Sequence, residues 1–346
     1  MATTDSTGDT SALAETLRGR ATGAAQAWHP GAEVTRVEPL TGGSSSLTFT
    51  AELRGVPEEQ RKVVLKVAPP GLAPVRNRDV LRQARLMRAL HDQPGVPVPP
   101  VFFEDAGDPP DVPPFLAMGF VPGDCVEPML IEERDPAAFP AIRSRALDAA
   151  AVLAALHRVD PARAGLGDEP VVGLKDEIDR WTRAFTTVPA DLQGDYEECA
   201  RALLATMPSA MAPTVNHGDY RLGNTLCRDG RVTSVIDWEI WSVGDPRIDV
   251  TWLTFFTDEA HHPGAPGNGP SGMPTARELL DAYTDAGGPD LPDLAWFDAL
   301  TRYKEAGATA LLIKRGRKSG RLVPEMARMA PALPVLLNEA RELIGA

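Results

Sequence analysis

The chain has 346 residues, of which 43% are hydrophobic and 24% charged, and its formal net charge is −13. This composition is typical of a globular protein, and a chain longer than roughly 250–300 residues is expected to form two domains. General nucleic-acid binding is disfavoured, because it relies on Lys and Arg at the phosphates. No apolar run reaches about 18 residues, and residues 1–10 are polar, expected to be disordered and unlike a signal peptide. We therefore expect a cytoplasmic protein without a membrane partner, and the sequence does not indicate its oligomeric state.

A glycine- and serine-rich loop is the first candidate for nucleotide binding. It follows a predicted alanine-rich helix and lies between two predicted strands, at residues 11–28, 33–39 and 46–53. Gly42, Gly43 and Ser44 would let backbone N–H groups approach nucleotide phosphates closely. An ordinary flexible hairpin is the alternative, since the loop has no G-x-G-x-x-G pattern.

A lysine in the next predicted strand is the second candidate. Residues 62–68 alternate with a period of two, which places Val63, Leu65 and Val67 on one face and Lys66 on the other. In kinases such a strand lysine pairs with the α- and β-phosphates of ATP. A solvated surface lysine is the alternative.

The remaining N-terminal elements complete a small domain. Residues 77–91 are predicted to form a helix with a buried apolar stripe, and residues 97–103 and 114–120 are predicted to be strands. With the three earlier strands, they bring the number of strands predicted in this part of the chain to five. We predict an N-terminal nucleotide-binding domain at residues 1–118 and a C-terminal catalytic and acceptor-binding domain at residues 119–346.

The segment around residue 219 carries the strongest catalytic pattern. Asp219 is followed by Asn224 five residues later, and Asp237 follows a predicted hairpin whose turn contains Asp229 and Gly230. A hairpin returns the chain to its start, so Asn224 and Asp237 are expected side by side as oxygen ligands for Mg²⁺. Asp219 would accept the proton of a hydroxyl group, as a kinase catalytic aspartate does. The alternative is an Asx-rich turn before an ordinary surface hairpin.

These motifs resemble a known enzyme family. The resemblance rests on three segments, namely His217-Gly218-Asp219 with Asn224, Ile236-Asp237-Trp238-Glu239, and Gly244-Asp245-Pro246-Arg247-Ile248-Asp249. They are similar to the aminoglycoside phosphotransferase and choline kinase-like family, and more narrowly to its branch associated with acyl-CoA dehydrogenases. The similarity runs from about residue 34 to the C-terminal helices. It implies an α+β, protein-kinase-like fold with a small antiparallel β lobe and a larger, mainly helical lobe.

The resemblance also implies roles for individual residues. Asp219 would be the catalytic base, and Asn224 and Asp237 would be the Mg²⁺ ligands. ATP, or alternatively GTP, would be the phosphoryl donor. His217 would be a packing and hydrogen-bonding residue of the loop, and Asp249 would be a buried aspartate that braces it.

Further nucleotide-binding positions follow from the resemblance. Backbone groups of Gly119 and Val121 would bind the purine edge at the hinge. The glutamate that pairs with the strand lysine in this family corresponds to Gln83 here. Since an amide carries no charge, we expect Asp79, one turn earlier on the helix, to be the partner of Lys66, alone or with Gln83.

The C-terminal residues are predicted to be mainly helical and to contain the acceptor site. The predicted helices span residues 136–159, 174–185, 192–207, 245–256, 275–287, 294–314 and 324–344. This region contains a basic cluster, consisting of Lys314, Arg315, Arg317, Lys318 and Arg321. The cluster either caps a helix C-terminus or binds an anionic acceptor. Four acidic residues would instead suit a polycationic aminoglycoside, namely Asp258, Glu259, Asp281 and Asp285.

The predicted reaction is transfer of the γ-phosphoryl group of ATP to a hydroxyl group of a small molecule. A neutral or anionic acceptor, such as a hydroxyacyl-CoA or another hydroxylated metabolite, is ranked above an aminoglycoside or another antibiotic. A non-catalytic nucleotide-binding protein is a further alternative, because Gln83 departs from the family pattern. The intact Asp219, Asn224 and Asp237 favour an enzyme.

Overall fold

The computed structural model describes residues 6–40, 46–320 and 329–346, with side chains from residue 13 onward. Contacts within the chain divide it into two units. Unit 1 comprises residues 1–123 and 233–240, and unit 2 comprises residues 124–232 and 241–346. The first division lies a few residues after the boundary predicted from the sequence. The sequence patterns did not indicate that residues 233–240 would belong with the first unit.

Unit 1 contains the predicted five-stranded antiparallel sheet, in the order β1-β2-β3-β5-β4. Its elements are α1 (Ser6–Trp28), β1 (Glu33–Pro39), β2 (Leu47–Arg54), β3 (Lys62–Val67), α2 (Val80–Leu90), β4 (Val101–Asp105) and β5 (Phe115–Gly119). Helix α1 begins at Ser6, earlier than the predicted start at residue 11. Strand β4 begins later than predicted, since Pro97, Pro99 and Pro100 lack the N–H groups that a strand ladder needs.

The core of unit 1 lies between its sheet and α1. Val63, Leu65 and Val67 of β3 are completely buried in this core, as the period-two pattern predicts. Helix α1 packs against β1 and β4. It contributes a stripe of buried residues spaced by four, namely Leu17, Ala21 and Ala25. Residues spaced by four lie on one face of a helix, so α1 covers the sheet with a single face.

Helix α2 is shorter than the span 77–91 that its apolar pattern predicts. Asp79 is its N-cap, and the Oδ1 of Asp79 accepts a hydrogen bond of 3.0 Å from the backbone N–H of Arg82. Residues Arg76–Arg78 form a 3-10 turn before it. A short acidic side chain satisfies an otherwise unpaired N–H at the start of a helix. Asp79 therefore determines where α2 begins.

Unit 2 is mainly helical, as predicted. Its elements are α3 (Phe139–His157), β6 (Val171–Val172), α4 (Leu174–Thr187), α5 (Tyr196–Ala205), β7 (Thr214–Asn216), β8 (Thr225–Arg228), β9 (Arg231–Val235), β10 (Ser242–Gly244), α6 (Arg247–Phe255), α7 (Ala276–Asp285), α8 (Leu294–Ser319) and α9 (Leu333–Leu343). The division between the units falls within β9. Helix α9 covers the later part of the predicted helix 324–344, whose first residues lie outside the described ranges.

Two small sheets position the segment around residue 219. Strands β8 and β9 form the predicted hairpin, and Asp229 and Gly230 at its turn have φ values of 52° and 74°, as an Asp-Gly turn requires. Strand β10 pairs parallel with β6 and antiparallel with β7. Strand β7 ends at Asn216, whose Nδ2 donates to the backbone oxygen of Asp245 at 2.9 Å. This bond ties the end of β7 to the chain just before α6.

The core of unit 2 is organised around α8, which packs against α4, α5, α6 and α9. The large buried side chains at these contacts include Phe185, Phe297, Tyr303 and Leu337. Helix α8 is longer than predicted and ends at Gly320, whose φ of 65° is the left-handed conformation common after a helix. No described helix, including α8, is apolar enough over a sufficient length to cross a membrane.

A buried ion pair joins the start of α6 to its surroundings. Arg247 is completely buried, and its Nε and Nη2 bond to the two carboxylate oxygens of Asp245 at 2.9 and 2.8 Å. Its remaining N–H groups donate to the backbone oxygens of Ser209 and Pro292. Both charged groups of this pair are therefore paired within the protein.

Removal of Arg247 should destabilise the protein strongly. We expect Arg247→Met to lower the free energy of unfolding by about 3–5 kcal/mol, because Asp245 would remain buried without its cation. Urea denaturation followed by circular dichroism measures this loss. The matched control, Arg277→Met, breaks an exposed pair with Asp281 and should cost less than about 1 kcal/mol. Equal losses in the two variants would contradict the expectation.

Candidate active site

A buried carboxylate holds the backbone of the loop that precedes residue 219. Asp249 of α6 is completely buried and accepts hydrogen bonds from the backbone N–H of His217 at 2.5 Å and of Gly218 at 2.8 Å. Burial alone would raise the pKa of Asp249, but His157, whose Nε2 lies 3.8 Å away, and Lys304 help to hold that pKa below its ordinary value. Asp249 therefore stays charged and makes the bracing contacts that the resemblance implied.

His217 is a packing residue of this loop. It is completely buried, and its ring lies edge-on to that of Tyr220 at 5.9 Å between centroids. Its Nδ1 accepts a hydrogen bond of 3.2 Å from the backbone N–H of Asp219. These contacts match the packing and hydrogen-bonding role that the resemblance implied.

Two hydrogen bonds and an ion pair hold the carboxylate of Asp219. Its Oδ1 accepts a hydrogen bond from Nε1 of Trp252 at 2.7 Å and lies 3.3 Å from Nε of Arg221. Its Oδ2 accepts a hydrogen bond from Nδ2 of Asn224 at 2.9 Å, and the same amide donates to the backbone oxygen of Asp219 at 2.8 Å. The structure thus brings together the predicted base and one predicted metal ligand. Because its amide nitrogen is used in this way, Asn224 retains its carbonyl oxygen for a cation.

A buried lysine lies beneath the same loop. Nζ of Lys304, on α8, donates a hydrogen bond to the backbone oxygen of Gly218. It also lies 3.6 Å from the centroid of the Trp252 ring, a distance that allows a cation–π interaction. Burial lowers the pKa of Lys304, and the neighbouring carboxylates of Asp219 and Asp249 oppose this shift. Sequence patterns did not indicate Lys304, because it lies in a helix with no motif and far from Gly218 along the chain.

A second ion pair flanks the loop. Oε2 of Glu127 accepts a hydrogen bond of 2.9 Å from the backbone N–H of Gly223 and lies 3.4 Å from Nη1 of Arg221. Burial raises the pKa of Glu127, and the charge of Arg221 opposes that shift. Arg221 could have been identified as a cation two residues after Asp219. Glu127 could not, since it lies 96 residues before Gly223 in irregular chain.

In unit 1, Lys66 and Asp237 form an ion pair. Nζ of Lys66 lies 2.6 Å from Oδ1 of Asp237, and Lys66 is only 7% exposed. Asp237 has a φ of 65°, which is uncommon for residues other than glycine. Backbone conformations of this kind are concentrated at functional sites. Two of the predicted site residues are therefore adjacent within unit 1.

The structure gives no support to Asp79 as the partner of Lys66. The carboxylate of Asp79 caps α2, and the ion pair of Lys66 is with Asp237. Gln83 is buried on α2, and its amide nitrogen has no hydrogen-bond partner in the described part of the chain. Neither residue therefore bonds to Lys66. The carboxylate of Asp79 is used instead to cap α2. A role for Gln83 in nucleotide binding stays a prediction.

The other predicted nucleotide-binding positions are Gly42, Gly43, Ser44, Gly119 and Val121. Gly42, Gly43 and Ser44 lie outside the described residues. Gly119 ends β5, and its N–H donates to the backbone oxygen of Pro100 at 2.8 Å. That N–H is therefore already used within the protein, and a contact between Gly119 and a purine stays a prediction. A contact between a purine and Val121, which follows in irregular chain, stays a prediction.

The predicted ligands suit Mg²⁺ by their chemistry. Asp237 offers a carboxylate on a side chain that is 41% exposed, and Asn224 offers an amide carbonyl oxygen. Mg²⁺ prefers oxygen ligands of this kind and shares phosphate oxygens of its nucleotide. Among the described residues, no group of three or more His, Cys, Asp or Glu side chains could hold a metal ion.

The basic cluster on α8 lies away from the loop at residue 219. Lys314 donates to the last backbone oxygen of α4 at 2.7 Å, and Arg317 lies 2.7 Å from Asp191. Lys314 lies roughly 15 Å beyond Lys304 along the helix axis, at 1.5 Å per residue. Arg321 lies outside the described residues. The position of the cluster at the end of α8 favours a structural role over an acceptor site.

Three of the four acidic residues that would suit an aminoglycoside are already paired with arginines. The pairs are Arg302 with Asp258 at 3.2 Å, Arg134 with Glu259 at 2.8 Å and Arg277 with Asp281 at 2.9 Å. An ion pair reduces the attraction of a carboxylate for another cation. These residues therefore offer little to a polycationic ligand.

A buried carboxyl group near the loop should make stability depend on pH. Burial raises the pKa of Glu305 from 4.5 to about 7, while a hydrogen bond from Thr309 opposes that shift. Between these two values the folded protein binds more protons than the unfolded chain, so stability falls as pH rises from about 4.5 to about 7.

Replacement of Glu305 by Gln should remove this dependence, because Gln stays neutral throughout. Relative to Glu305→Gln, the unaltered protein should lose on the order of 3 kcal/mol of unfolding free energy across the same pH range. Urea denaturation at several pH values measures the difference. Parallel stability curves for the two proteins would contradict the expectation. The exposed control, Glu342→Gln, should give a curve parallel to that of the unaltered protein.

Comparison with known proteins gives a consistent family assignment. The model of the phosphotransferase enzyme family, APH, matches residues 36–300. Acyl-CoA dehydrogenase family member 10 of Mus musculus is 26% identical over 319 residues, which cover 83% of this chain and 28% of that protein. Acyl-CoA dehydrogenase family member 11 of Rattus norvegicus is 26% identical over 287 residues, which cover 79% of this chain and 36% of that protein. The chain thus spans about a third of the length of these curated relatives.

Solved structures share the fold. A protein from Ralstonia eutropha, whose name assigns it to the aminoglycoside phosphotransferases, superposes with a TM-score of 0.71 at 23% identity, over 96% of this chain and 98% of that one. An aminoglycoside phosphotransferase in complex with ADP and hygromycin B gives a TM-score of 0.57 at 17% identity, over 94% and 98%. A similar enzyme in complex with GDP and kanamycin gives 0.58 at 15% identity, over 93% and 99%. At these identities the likeness shows the fold, which is the kinase-like α+β fold that the sequence resemblance implied.

Proposed function

This chain belongs to the phosphotransferase enzyme family, and we propose on that premise that it transfers the γ-phosphoryl group of ATP to a hydroxyl group of a small molecule. The observation that carries the proposal is the carboxylate of Asp219, which two hydrogen bonds and an ion pair hold on a loop braced by the buried Asp249. A rigidly held carboxylate beside a glycine turn is suited to orient and deprotonate an acceptor hydroxyl. GTP is the alternative donor, since structural neighbours are described with ADP and with GDP.

Different residues of the chain have different roles in the proposed reaction. Asp219 accepts the hydroxyl proton, and Lys66 binds the α- and β-phosphates. Mg²⁺, held by Asn224 and Asp237, would neutralise charge on the transferring phosphates. In the structure Lys66 forms an ion pair with Asp237, the proposed metal ligand. Lys66 is therefore suited to bind the phosphates that the metal would also bind. The proposed contacts to the rest of the nucleotide are made by Gly42, Gly43, Ser44, Gln83, Gly119 and Val121.

A hydroxyacyl-CoA is the acceptor that we favour. The curated relatives bear the name acyl-CoA dehydrogenase, although this chain spans only about a third of their length. The pairing of Asp258, Glu259 and Asp281 with arginines also argues against a polycationic acceptor. The basic cluster on α8 does not support an anionic acceptor over an aminoglycoside, because it lies away from the loop at residue 219.

An aminoglycoside is the second candidate acceptor. Structural neighbours are described in complex with kanamycin and with hygromycin B, and the fold of this chain matches theirs. A non-catalytic nucleotide-binding protein is a weaker alternative, since the residues proposed for base and metal are all present.

A coupled assay of ADP release tests the proposal. Purified protein is incubated with Mg²⁺ and ATP, or GTP, and with hydroxyacyl-CoAs that differ in hydroxyl position, kanamycin and hygromycin B. We expect release that depends on a hydroxyacyl-CoA, with the phosphorylated product identified by mass spectrometry. Phosphorylation of kanamycin at micromolar KM, with none of any acyl-CoA, would reverse the ranking of acceptors. Release that equals that of an Asp219→Asn blank with every acceptor would contradict the proposed reaction.

A further inference from the structure

Two buried residues outside the catalytic motifs hold Asp219 and the loop that carries it. Trp252, on α6, is 4% exposed, and its Nε1 donates to Oδ1 of Asp219 at 2.7 Å. Lys304, on α8, is 5% exposed and lies 3.6 Å from the centroid of the Trp252 ring. We propose that Trp252 is a positioning residue for the proposed base, that Lys304 supports it, and that Oδ2 of Asp219 therefore receives the acceptor proton. This inference rests on the proposed phosphotransfer.

The donors around the carboxylate distinguish its two oxygens. Oδ1 accepts a hydrogen bond from Nε1 of Trp252 at 2.7 Å and forms an ion pair with Nε of Arg221 at 3.3 Å. Oδ2 is approached by one described donor, Asn224, at 2.9 Å. A carboxylate oxygen has two lone pairs directed in its plane. Oδ1 thus carries a hydrogen bond and an ion pair, whereas Oδ2 carries one hydrogen bond and keeps a lone pair for an incoming hydroxyl proton.

The step is then defined atom by atom. The acceptor oxygen forms a bond to the γ-phosphorus, and its proton passes to Oδ2 of Asp219. The bond between the γ-phosphorus and the β,γ-bridging oxygen breaks, and ADP leaves with that electron pair. No oxidant, reductant or further reactant is needed. Asp219 must present Oδ2 towards the acceptor throughout, which makes the fixed rotation of its carboxylate important.

Lys304 helps to fix the rotation of the Asp219 carboxylate. Its Nζ donates to the backbone oxygen of Gly218, while the N–H of Gly218 donates to Asp249 at 2.8 Å. Both backbone groups of Gly218, the residue before Asp219, are thus held. The same ammonium lies against the Trp252 ring, so one cation holds both the loop and the indole. Burial of an ammonium group is costly, and an apolar residue could fill the space, so a structural role in packing alone does not account for a lysine.

An NMR experiment tests the contact independently of turnover. In protein labelled with ¹⁵N at tryptophan, the indole N–H resonance missing from Trp252→Phe is assigned to Trp252. We expect Asp219→Asn to move this resonance, because an amide is a weaker acceptor than a carboxylate. The resonance missing from Trp296→Phe is the control, since Nε1 of the buried Trp296 donates to the backbone oxygen of Leu203. That resonance should not move.

Kinetics test the positioning role. Trp252→Phe removes the indole donor but keeps an aromatic ring for Lys304, and we expect kcat to fall about 10–100-fold with KM for ATP within about twofold. Lys304→Met, which keeps the length of the side chain, should show the same separation of kcat from KM. Trp296→Phe, the matched loss of a buried indole donor, should leave both parameters unchanged.

The outcomes separate this inference from the proposed function. A Trp252 resonance that does not respond to Asp219→Asn overturns the inference. Full turnover by Trp252→Phe, with Asp219→Asn inactive, also overturns it and leaves the proposed function intact. Absence of turnover by the unaltered protein overturns the proposed function instead, while the resonance still decides whether Trp252 holds Asp219.

Discussion

Replacement of Asp219 by Asn is expected to reduce turnover by about 10²–10⁴-fold while leaving nucleotide affinity nearly unchanged. Asn keeps the size of the side chain, but its amide cannot take the proton of the acceptor hydroxyl. The proposed base acts on the acceptor and not on the nucleotide, so binding of Mg²⁺ and ATP should survive. Turnover is measured by coupled ADP release, and affinity is measured by titration with a fluorescent ATP analogue.

Asp229→Asn is the matched control for this substitution. Asp229 lies at the hairpin turn with a side chain that is 94% exposed, and its replacement removes the same charge from the chain. Asn tolerates the left-handed conformation that this position requires. Turnover and affinity should both equal those of the unaltered protein. Turnover by Asp219→Asn within tenfold of that control would exclude Asp219 as the base.

Replacement of Asp237 by Asn is expected to abolish turnover and also to weaken nucleotide binding in the presence of Mg²⁺. A direct ligand should matter at least as much as an outer-shell partner, whose loss costs about 10–100-fold in metal affinity. In the structure the carboxylate of Asp237 also neutralises Lys66 at 2.6 Å. The substitution therefore removes both the proposed ligand and the partner of the proposed phosphate-binding cation.

Titrations with and without Mg²⁺ separate these two effects. With EDTA, the metal contribution is absent, and Asp237→Asn should bind ATP at least as well as the unaltered protein, because Lys66 is freed for the phosphates. With Mg²⁺, it should bind more weakly than both Asp219→Asn and Asp229→Asn. Identical titrations of Asp219→Asn and Asp237→Asn in Mg²⁺ would contradict the separate roles of these two residues.

Local patterns predicted most of the secondary structure. Alternation in β3 placed Val63, Leu65 and Val67 in the core, and the Asp229-Gly230 turn placed the hairpin of β8 and β9. These features depend on backbone geometry and on the burial of one face, which act over a few residues. The errors lie at element ends. Prolines before β4 make this strand begin later in the chain than predicted. The cap at Asp79 makes α2 begin later than its apolar stripe predicts.

The partner of Lys66 was predicted incorrectly because helix capping competes with ion pairing. Sequence spacing placed Asp79 one turn before Gln83, which is compatible with a shared face of α2. The cap position uses the carboxylate of Asp79 for the backbone N–H of Arg82, and the chain returns at residue 237 to provide the anion. The spacing within one helix cannot reveal a partner that lies 171 residues further along the chain.

The sequence by itself indicated the family, the kinase-like fold, the antiparallel sheet and the candidates Asp219, Asn224 and Asp237, because the motifs and alternating patterns that identify them each lie within a short stretch of the chain. Only the tertiary structure decided what surrounds Asp219. Trp252, Lys304 and Glu127 come from α6, α8 and an irregular segment, and they reach the loop through packing of the core of unit 2. The burial that raises the pKa of Glu305 and lowers that of Lys304 arises in the same way. Desolvation depends on the density of atoms from many parts of the chain, and no short motif encodes it.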